Sequence, residues 1–433
     1  MVRLFPRDRN FLREHRIPCV PPLPRISHLV PFRPLHLFES WSPVVSGYAQ
    51  RSRALIQAQL AHGGFEPRAL VTSRQFTYGA ASVEPLEGLG ERLRLCRPSP
   101  WERWWRGLRP FTLDTRALER HLEQALDDWG ADLVHVHWSS GIGQAAARVA
   151  QRRGLPLVAE VRFDLASAAT SQWLGTSWPR LEALLRRRFE SHLGNAVAII
   201  AAGPALTRFL QETFPSLRER IWTVSNGVEG VRPMCVARDE AWRHAHGLAG
   251  GVVVGSTSNM LHYEGLDTLV RSLAQARTEL PALQGLLVGG GPEEERLRRL
   301  ANEWKVPVVF TGRVPHGEIP GLLAQIDLFV IPRRDLPITR YAGPLKLVEA
   351  LAAGRAIIAT GLGDIPDLMA DGAGVLLPGD SVDDLAKALV RWGRDTEGRA
   401  RLGDRARARL PNLPTWTLAA QQHAEIYRQA LTR

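Results

Sequence analysis

The segment Tyr341–Gly354, with the sequence YAGPLKLVEALAAG, contains the residues best suited to binding a phosphate group. Gly343 precedes Pro344, and proline is favoured at the first position of an α-helix. The free N–H groups and the dipole at a helix N-terminus attract anions, whereas a cation is unfavourable there. Lys346 nevertheless stands in the predicted first turn, although the chain has only three lysines. We therefore predict a phosphate site at Gly343, Leu345 and Lys346.

Glu349 follows on the same predicted helix. Its carboxylate could accept two hydrogen bonds from the neighbouring hydroxyl groups of a ribose. A phosphate site followed by a ribose site is the pattern that a nucleotide needs. The alternative is an ordinary surface helix on which Lys346 and Glu349 face solvent. The elements around this helix must decide between the two.

His137 is the second candidate, because it ends the apolar segment Asp132–His137. This segment has the composition of a buried strand, and we expect the His137 side chain to point from the end of the strand into a cleft. A packing role inside the core is the alternative for a single histidine. We expect His135 to face away from the cleft, into the core.

Apolar segments alternate with helical segments along most of the chain, which predicts parallel sheets covered by helices on both faces. Two such series indicate an α/β protein of two doubly wound, Rossmann-like domains, with the first strand at Ile26–Val30. We predict an Arg/Pro-rich extension at 1–24, an N-terminal domain at 25–228, a C-terminal domain at 234–411 and a final helix at 412–433. Ligands of such sheets bind at the carboxyl ends of the strands, so we expect the site in the cleft between the domains.

The composition fits a globular protein and excludes several other classes. The 433 residues are 45% hydrophobic and 23% charged, and the three distant cysteines exclude a disulfide framework. No apolar run reaches the roughly 18 residues of a membrane-spanning helix, and the N-terminus does not resemble a secretory signal, so a cytoplasmic protein is expected. The net charge of +11 favours anionic partners, but the scattered arginines form no nucleic-acid-binding motif.

Trp101, Trp104 and Trp105 lie on one side of a predicted helix, beside Arg103 and Arg106. An aromatic face with basic flanks is suited to lying in the interface of a membrane, and it would place the protein peripherally on the inner face of the plasma membrane, near a lipid-linked acceptor. The alternative is a helix packed on its own domain with its arginines reaching solvent. The sequence leaves both interpretations open.

The segment around Lys346 resembles the donor-binding helix of family 4 retaining glycosyltransferases, which have the GT-B fold. The resemblance covers about residues 25–430, and within the family the chain is similar to exosortase-associated and exopolysaccharide glycosyltransferases. The matching motifs, in the family's order, are Ser46–Tyr48, Asp132–His137, Ala159–Arg162, Val224–Val228, Tyr263–Asp267, Gly289–Pro292 and Phe310–Arg313.

This resemblance implies that the protein moves a sugar from a nucleoside diphosphate sugar to a glycan or lipid-linked acceptor. The configuration would be retained, and the context would be cell-surface polysaccharide biosynthesis. The C-terminal domain would bind the donor, the N-terminal domain the acceptor, and the last helix would cross back to the N-terminal domain. No cofactor or metal ion is expected, since the chain has no Asp-X-Asp motif.

The resemblance also implies roles for individual residues. Gly47 and Arg313 belong beside the donor, together with the segment from Tyr341 to Glu349. His137, Lys346 and Glu349 are the predicted catalytic residues, and His137 would orient the transferred sugar through a hydroxyl group.

Two departures from the family's pattern affect the donor site. The family's donor helix usually has two glutamates eight positions apart, and Tyr341 replaces the first while Glu349 is the second. A loop that usually contains Lys-Gly has Glu264–Gly265 instead. Phosphate neutralisation therefore depends on Lys346 and on Arg313 or the arginines at 333 and 334.

The missing glutamate motivates two further hypotheses. One is a catalytically impaired GT-B scaffold that binds nucleotide sugar or glycan without transferring it. The other is a sugar-nucleotide epimerase on the same fold. Turnover with an acceptor separates the transferase from the scaffold, and product analysis without an acceptor identifies the epimerase.

Overall fold

The computed structural model describes residues 30–44, 46–105, 113–138, 141–164, 166, 179–227, 236–341 and 343–432. The predicted extension at 1–24 lies outside these residues. Two parallel sheets with helices on their faces make up the described part, which confirms the predicted fold class.

The first sheet has seven strands among the described residues, all parallel, in the order β3-β2-β1-β4-β5-β6-β7. Its strands are Pro34–Phe38 (β1), Arg68–Val71 (β2), Leu93–Leu95 (β3), Leu133–His137 (β4), Leu157–Val161 (β5), Ala198–Ala201 (β6) and Ile221–Thr223 (β7). The helices around it are Gly47–His62 (α1), Pro100–Trp105 (α2), Thr115–Trp129 (α3), Ile142–Arg153 (α4), Pro179–Leu193 (α5) and Pro204–Thr213 (α6).

The ends of α1, the helix nearest the cleft, follow from local sequence. Ser46 is its N-cap, and the Ser46 hydroxyl accepts a hydrogen bond of 3.1 Å from the backbone N–H of Ala49. Gly63 ends the helix in the left-handed conformation at φ 75°, which favours glycine. The central strands beside α1 are buried at every position, as expected of strands covered on both faces.

Among the described residues, the strand that precedes α1 is Pro34–Phe38, which the sequence did not predict. Of the predicted first strand at Ile26–Val30, the structure describes only Val30. Residues 26–29 lie outside the described part, and Val30 is exposed. Pro34 is the first residue of β1, a position where a strand tolerates proline because no ladder hydrogen bond is lost. The predicted strand ends before Pro31, whereas β1 begins at Pro34.

The second sheet has six strands among the described residues, again parallel, in the order β10-β9-β8-β11-β12-β13. Its strands are Val252–Thr257 (β8), Leu283–Val288 (β9), Val308–Phe310 (β10), Leu328–Ile331 (β11), Ala356–Thr360 (β12) and Val375–Leu377 (β13). The helices are Glu240–Ala245 (α7), Leu266–Ala276 (α8), Glu294–Glu303 (α9), Ile319–Ala324 (α10), Pro337–Arg340 (α11), Leu345–Ala352 (α12), Ile365–Leu368 (α13), Val382–Arg394 (α14), Thr396–Ala408 (α15) and Trp416–Thr432 (α16).

Helix α16 returns to the N-terminal domain, as predicted. It packs against α1 and β5, and its Trp416 and Tyr427 side chains are buried in one cluster with Leu55 and Val158. Across the described residues, we find no helix with the length and apolar character needed to span a bilayer.

Candidate active site

A cleft of about 450 Å³ lies between the two domains, at the carboxyl ends of their strands. Gly47, in the first turn of α1, lines it from the N-terminal domain, and Thr257 and Val288 line it from the ends of β8 and β9. The domains approach closely here, since a Cβ atom on Gly47 would lie 3.7 Å from the Leu345 side chain. The cleft lies where the topology of two doubly wound sheets places a ligand.

The start of α12 forms one wall of this cleft, with Gly343, Leu345, Lys346 and Glu349 all lining it. The helix begins at Leu345, and Pro344 is the N-cap residue instead of the predicted first helical residue. No side chain caps this helix, so its first N–H groups have no capping partner. The four residues that the sequence assigned to phosphate and ribose therefore lie together at an open helix N-terminus that faces the cleft.

Lys346 does not face the cleft as an isolated charge. Its ammonium group lies 2.7 Å from Glu264 Oε2, and the Arg333 guanidinium lies 3.0 Å from Glu264 Oε1. All three side chains line the cleft and are nearly buried. Burial alone would raise the pKa of Glu264, but the two cations outweigh it and lower that pKa to about 2. Glu264 therefore stays ionised and holds both cations at the wall of the cleft.

The other predicted donor-side charges are more exposed. Arg313 is exposed at the cleft and forms no ion pair or hydrogen bond within the described part of the chain. The Glu349 carboxylate lies 3.2 Å from His316 Nε2, and both side chains line the cleft. Arg334 is not among the lining residues, because Asp267 holds its guanidinium at 2.5 Å. Arg313 and Arg333, but not Arg334, therefore add positive charge to the cleft beside that of Lys346.

Tyr341 does not line the cleft, which contradicts its predicted role in donor binding. Its ring stacks on Phe209 of α6, with 4.2 Å between the ring centroids and an angle of 25°. The Tyr341 side chain packs against the core of the N-terminal domain. The side chain that replaces the family's first glutamate therefore connects the two domains. Stacking on Phe209 stabilises its aromatic ring, which a polar cleft would not do.

His137 is completely buried, so the prediction that it points into the cleft is wrong. Its Nδ1 atom lies 3.1 Å from Glu160 and its Nε2 atom 3.1 Å from His36 Nδ1. Burial lowers the pKa of His137 to about 3, against the opposing charge of Glu160. A neutral histidine without access to the cleft cannot contact a sugar, and the interpretation as a buried packing residue applies.

His135 shares the face of β4 with His137, contrary to our expectation. Residues two apart on a strand point to the same face, and the two rings stack with centroids 4.5 Å apart. His135 also contacts Tyr427 of α16, since its Nδ1 atom lies 2.5 Å from the tyrosine hydroxyl. The pair of histidines thus belongs to the interface between the sheet and the last helix.

The cleft residues nearest to this buried cluster are Arg51 and Arg162, to which the sequence assigned no role. Both line the cleft, and both bind Glu160 Oε1, at 3.0 Å and 2.8 Å. Arg162 Nη2 also lies 2.7 Å from His137 Nδ1. The sequence did contain a signal for these two arginines, because Arg162 ends the motif Ala159–Arg162 and Arg51 follows the motif Ser46–Tyr48. His137 thus contacts two residues that line the cleft, Arg162 through its ring and Tyr48 through its backbone carbonyl, which accepts a hydrogen bond from the Tyr48 hydroxyl.

Within the part of the chain that the structure describes, two groups of buried side chains have donor atoms close enough to share a metal ion. They are His36, His135 and His137, and His135, Glu160 and His423. In the first group His36 and His137 are already paired with each other. In the second, Glu160 lies between the guanidinium groups of Arg51 and Arg162, which would repel a divalent cation. Neither group lines the cleft.

The tryptophan face predicted for membrane contact is only partly described. Trp101 and Trp104 lie on α2 and are 50% and 70% exposed. The side chain of Trp105 and residues 106–112 lie outside the described part. Membrane contact through this face therefore stays a prediction.

Comparisons with known proteins give the same assignment for both domains. Residues 56–230 match the family model "Glycosyltransferase Family 4", and residues 251–395 match "Glycosyl transferases group 1". Together these matches cover more than half of the chain.

The similarity to individual relatives is limited to part of the chain. The chain is 29% identical over 180 residues to a GDP-mannose-dependent monoacylated alpha-(1-6)-phosphatidylinositol monomannoside mannosyltransferase from Corynebacterium glutamicum. The match covers 40% of this chain and 46% of that protein, so the chain spans about half the length of such curated relatives.

Solved structures show the same fold over nearly the whole chain. Sucrose-phosphate synthase from Thermosynechococcus elongatus has a TM-score of 0.72 at 19% identity, with 92% of this chain and 99% of that one covered. Anabaena HepE in complex with UDP and glucose has a TM-score of 0.67 at 19% identity, with coverage of 92% and 100%. With these two domains and these matches, the chain belongs to glycosyltransferase family 4 and has the GT-B fold.

Proposed function

We propose that this protein transfers a sugar from a nucleoside diphosphate sugar to a hydroxyl group of a glycan or lipid-linked acceptor, with retained configuration, in polysaccharide biosynthesis. The observation that carries the proposal is the uncapped N-terminus of α12, which faces the interdomain cleft with Lys346 in its first turn. Such a helix start binds an anion, and the lysine adds a full positive charge at the same place.

The charges around the cleft fit a diphosphate. Five cationic side chains line it, and the carboxylates of Glu264 and Glu349 line it as well, while Glu160 lies directly behind two of the arginines. The cations are Arg51, Arg162, Arg313, Arg333 and Lys346. The five cations and three carboxylates together have a net charge of two positive units. The diphosphate of a sugar nucleotide carries one negative charge on each of its two phosphate groups.

In this arrangement the donor lies along α12. The diphosphate accepts hydrogen bonds from the first N–H groups of the helix and from Lys346, while Glu349 accepts hydrogen bonds from the ribose hydroxyl groups. Arg313 is available as a further phosphate ligand, because it forms no ion pair within the described residues. The nucleotide thus binds to the C-terminal domain, and its sugar points towards Gly47 of the N-terminal domain.

Sugar transfer creates negative charge on the departing diphosphate. The N–H groups of Leu345 and Lys346 and the cations at the wall of the cleft are already oriented by the fold, so they stabilise this charge without reorganising. These groups bind the departing diphosphate more strongly in the transition state than in the ground state, and this difference accelerates the reaction. The leaving phosphate accepts the proton of the acceptor hydroxyl, so the reaction needs no separate base and no metal ion.

The acceptor approaches from the N-terminal domain, where Gly47, Tyr48 and Arg162 line the cleft. A lipid-linked acceptor would bring this domain to a membrane surface, and the exposed Trp101 and Trp104 give it a face for that contact. The Corynebacterium relative is named for a phosphatidylinositol mannoside acceptor, which supports a lipid-linked class here.

The test is a screen of UDP-, GDP-, ADP- and dTDP-sugars with acceptor extracts, which measures release of nucleoside diphosphate and the anomeric configuration of the product. Glu349→Ala is the site variant, and Glu295→Ala, on an exposed side chain of α9, is its matched control. We expect one donor to be consumed by the wild type and the control, with a product that keeps the donor's configuration, and Glu349→Ala to be slow.

The other outcomes overturn the proposal in different ways. Binding of a sugar nucleotide without turnover in any extract would indicate the scaffold. Conversion of one sugar nucleotide into another without acceptor would indicate the epimerase. A product of inverted configuration would contradict retention, and binding of no nucleotide would contradict the donor site itself.

A further inference from the structure

A carboxylate of the C-terminal domain caps a helix of the N-terminal domain. Helix α6 has Gly203 at its N-cap position, and glycine has no side chain with which to cap it. Asp364, just after β12, takes this role, because its Oδ1 atom accepts a hydrogen bond of 2.8 Å from the backbone N–H of Ala205. A carboxylate at a helix N-terminus also interacts favourably with the helix dipole.

The approach of Asp364 to α6 is close and buried. Asp364 is 6% exposed, and a Cβ atom on Gly203 would lie only 2.2 Å from Asp364 Oδ2. Any residue with a side chain at 203 would push the carboxylate away. A Cβ atom on Gly343 would lie 3.4 Å from the same oxygen, so Asp364 also lies next to the loop that begins the donor-binding helix.

Two further contacts join the domains around this point. The Tyr341 ring stacks on Phe209, which is also on α6. The side-chain amide of Asn226, in the segment that leaves the N-terminal domain, donates a hydrogen bond of 3.4 Å to the Gly343 carbonyl. Asn226 in turn accepts a hydrogen bond from Arg51 in the cleft. Gly343 is thus held between Asp364 on one side and Asn226 on the other.

We propose that Asp364 is a positioning residue for sugar transfer, because it fixes the start of the donor-binding helix relative to the acceptor-binding domain. The Tyr341–Phe209 stack supports the same alignment from the face of α6. The inference rests on the proposed function, since it assigns to this contact the geometry between donor and acceptor.

The contact predicts a particular split in the kinetics. The groups assigned to direct hydrogen bonds with the nucleotide, namely the start of α12, Lys346, Glu349 and Arg313, lie on the C-terminal domain, and Arg51 and Arg162 add only to the charge of the cleft. Loss of the Asp364 contact should therefore leave nucleotide affinity nearly unchanged. The distance between donor and acceptor depends on both domains, and a misplacement of about 1 Å can cost about a hundredfold in rate. Turnover should therefore fall while binding persists.

The experiment compares Asp364→Ala and Asp364→Asn with Asp367→Asn, a matched control at an exposed aspartate three residues further along the chain. We expect Asp364→Ala to lower kcat at least tenfold and to change the nucleoside diphosphate Kd less than threefold. Asp364→Asn keeps an oxygen that can accept from Ala205 and should recover most of kcat. Tyr341→Leu should show the same split with a smaller loss.

Equal losses in kcat and nucleotide affinity, or an Asp364→Asn variant as slow as Asp364→Ala, would overturn the proposal, as would an Asp364→Ala variant with full activity. Amide hydrogen exchange tests the contact without any turnover: the Ala205 N–H should exchange faster in Asp364→Ala than in the wild type, and an unchanged rate would contradict the contact. If the wild type itself transfers no sugar, the proposed function fails, and the exchange result still decides whether Asp364 binds the N-terminus of α6.

Discussion

The carboxylate of Glu264 lies 2.7 Å from the ammonium group of Lys346. Glu264 occupies the position at which the resemblance to the family leads one to expect a lysine. In this chain the loop after β8 supplies an anion, and the first turn of α12 supplies a cation. Arg333, at the end of β11, completes the cluster. The proposed donor site therefore has its positive charge on Lys346 and Arg333 instead of on the loop after β8.

Replacement of Glu264 by glutamine separates its two effects. The change removes a negative charge from the wall of the cleft, so we expect nucleoside diphosphates to bind severalfold more tightly. It also leaves Lys346 and Arg333 nearly buried without their counter-charge, so the free energy of unfolding at pH 7 should fall by about 3 kcal/mol, as expected from a carboxyl pKa held near 2.

Titration calorimetry and urea unfolding measure these two effects, with Glu295→Gln as control. Glu264 is ionised in the folded state down to about pH 2, so its contribution is present above its usual pKa and is lost as pH falls through the folded value. A stability difference between wild type and Glu264→Gln that stayed constant from pH 7 to pH 2 would contradict the ion pairing.

The buried histidines make the fold sensitive to mild acid. Burial lowers the pKa values of His36, His135 and His137 below the usual range, so the unfolded chain takes up protons near pH 6 while the folded chain does not. Stability therefore falls as pH decreases below about 6.5, by up to about 1.4 kcal/mol per pH unit for each histidine. Urea unfolding at pH 7.0, 6.0 and 5.5 measures this slope.

The matched variants are His137→Gln and, as control, His246→Gln at an exposed position. The His137→Gln slope should be smaller than that of the wild type by the share of one histidine, whereas the control should keep the full slope. Identical slopes in all three proteins would show that His137 is protonated as readily in the folded chain as in the unfolded chain.

The assignment of Glu349 to the ribose predicts a selective loss. Glu349→Ala should weaken binding of a nucleoside diphosphate about tenfold or more, because a charged hydrogen-bond acceptor contributes about 1.5–3 kcal/mol. Binding of inorganic pyrophosphate, which has no ribose, should change much less. Competition calorimetry with both ligands tests this, and equal losses for the two would place Glu349 at the phosphates instead.

The exposed tryptophans of α2 predict contact with a membrane surface. Wild-type protein should sediment with vesicles that contain anionic phospholipid, and Trp104→Ala should sediment less, because Trp104 is 70% exposed. Trp304→Ala is a suitable control, since Trp304 is an exposed tryptophan of the other domain. Equal sedimentation of the wild type and Trp104→Ala would exclude this face as the contact.

The features that could be predicted are those determined by residues close together in the sequence. The start of α12 was visible because Gly343, Pro344 and Lys346 stand together, and the alternation of strands and helices gave the two sheets and the cleft between them. The position of β1 was missed because Pro34 begins the strand, and proline is more often a sign of a break.

The features that could not be predicted depend on residues far apart in the chain. The sequence assigns Tyr341 to the donor because it stands eight positions before Glu349, where the family has a glutamate. Its ring partner, Phe209, belongs to the other domain and cannot be identified from the neighbouring residues. His137 was assigned to the cleft because nothing in its strand shows that Glu160 and Arg162 cover it. Long-range packing decides whether such a side chain faces a ligand or a neighbour.

The most direct test of the donor site is the affinity for UDP, GDP, ADP and dTDP, measured by titration calorimetry on wild type, Lys346→Met and Lys387→Met. Lys387 is an exposed lysine of α14 and serves as the matched control. We predict that one nucleoside diphosphate binds to the wild type and the control, and that Lys346→Met weakens it about tenfold to a hundredfold. Equal affinity in all three proteins, or binding of none of the four nucleotides to the wild type, would contradict the assignment of the α12 N-terminus as the diphosphate site.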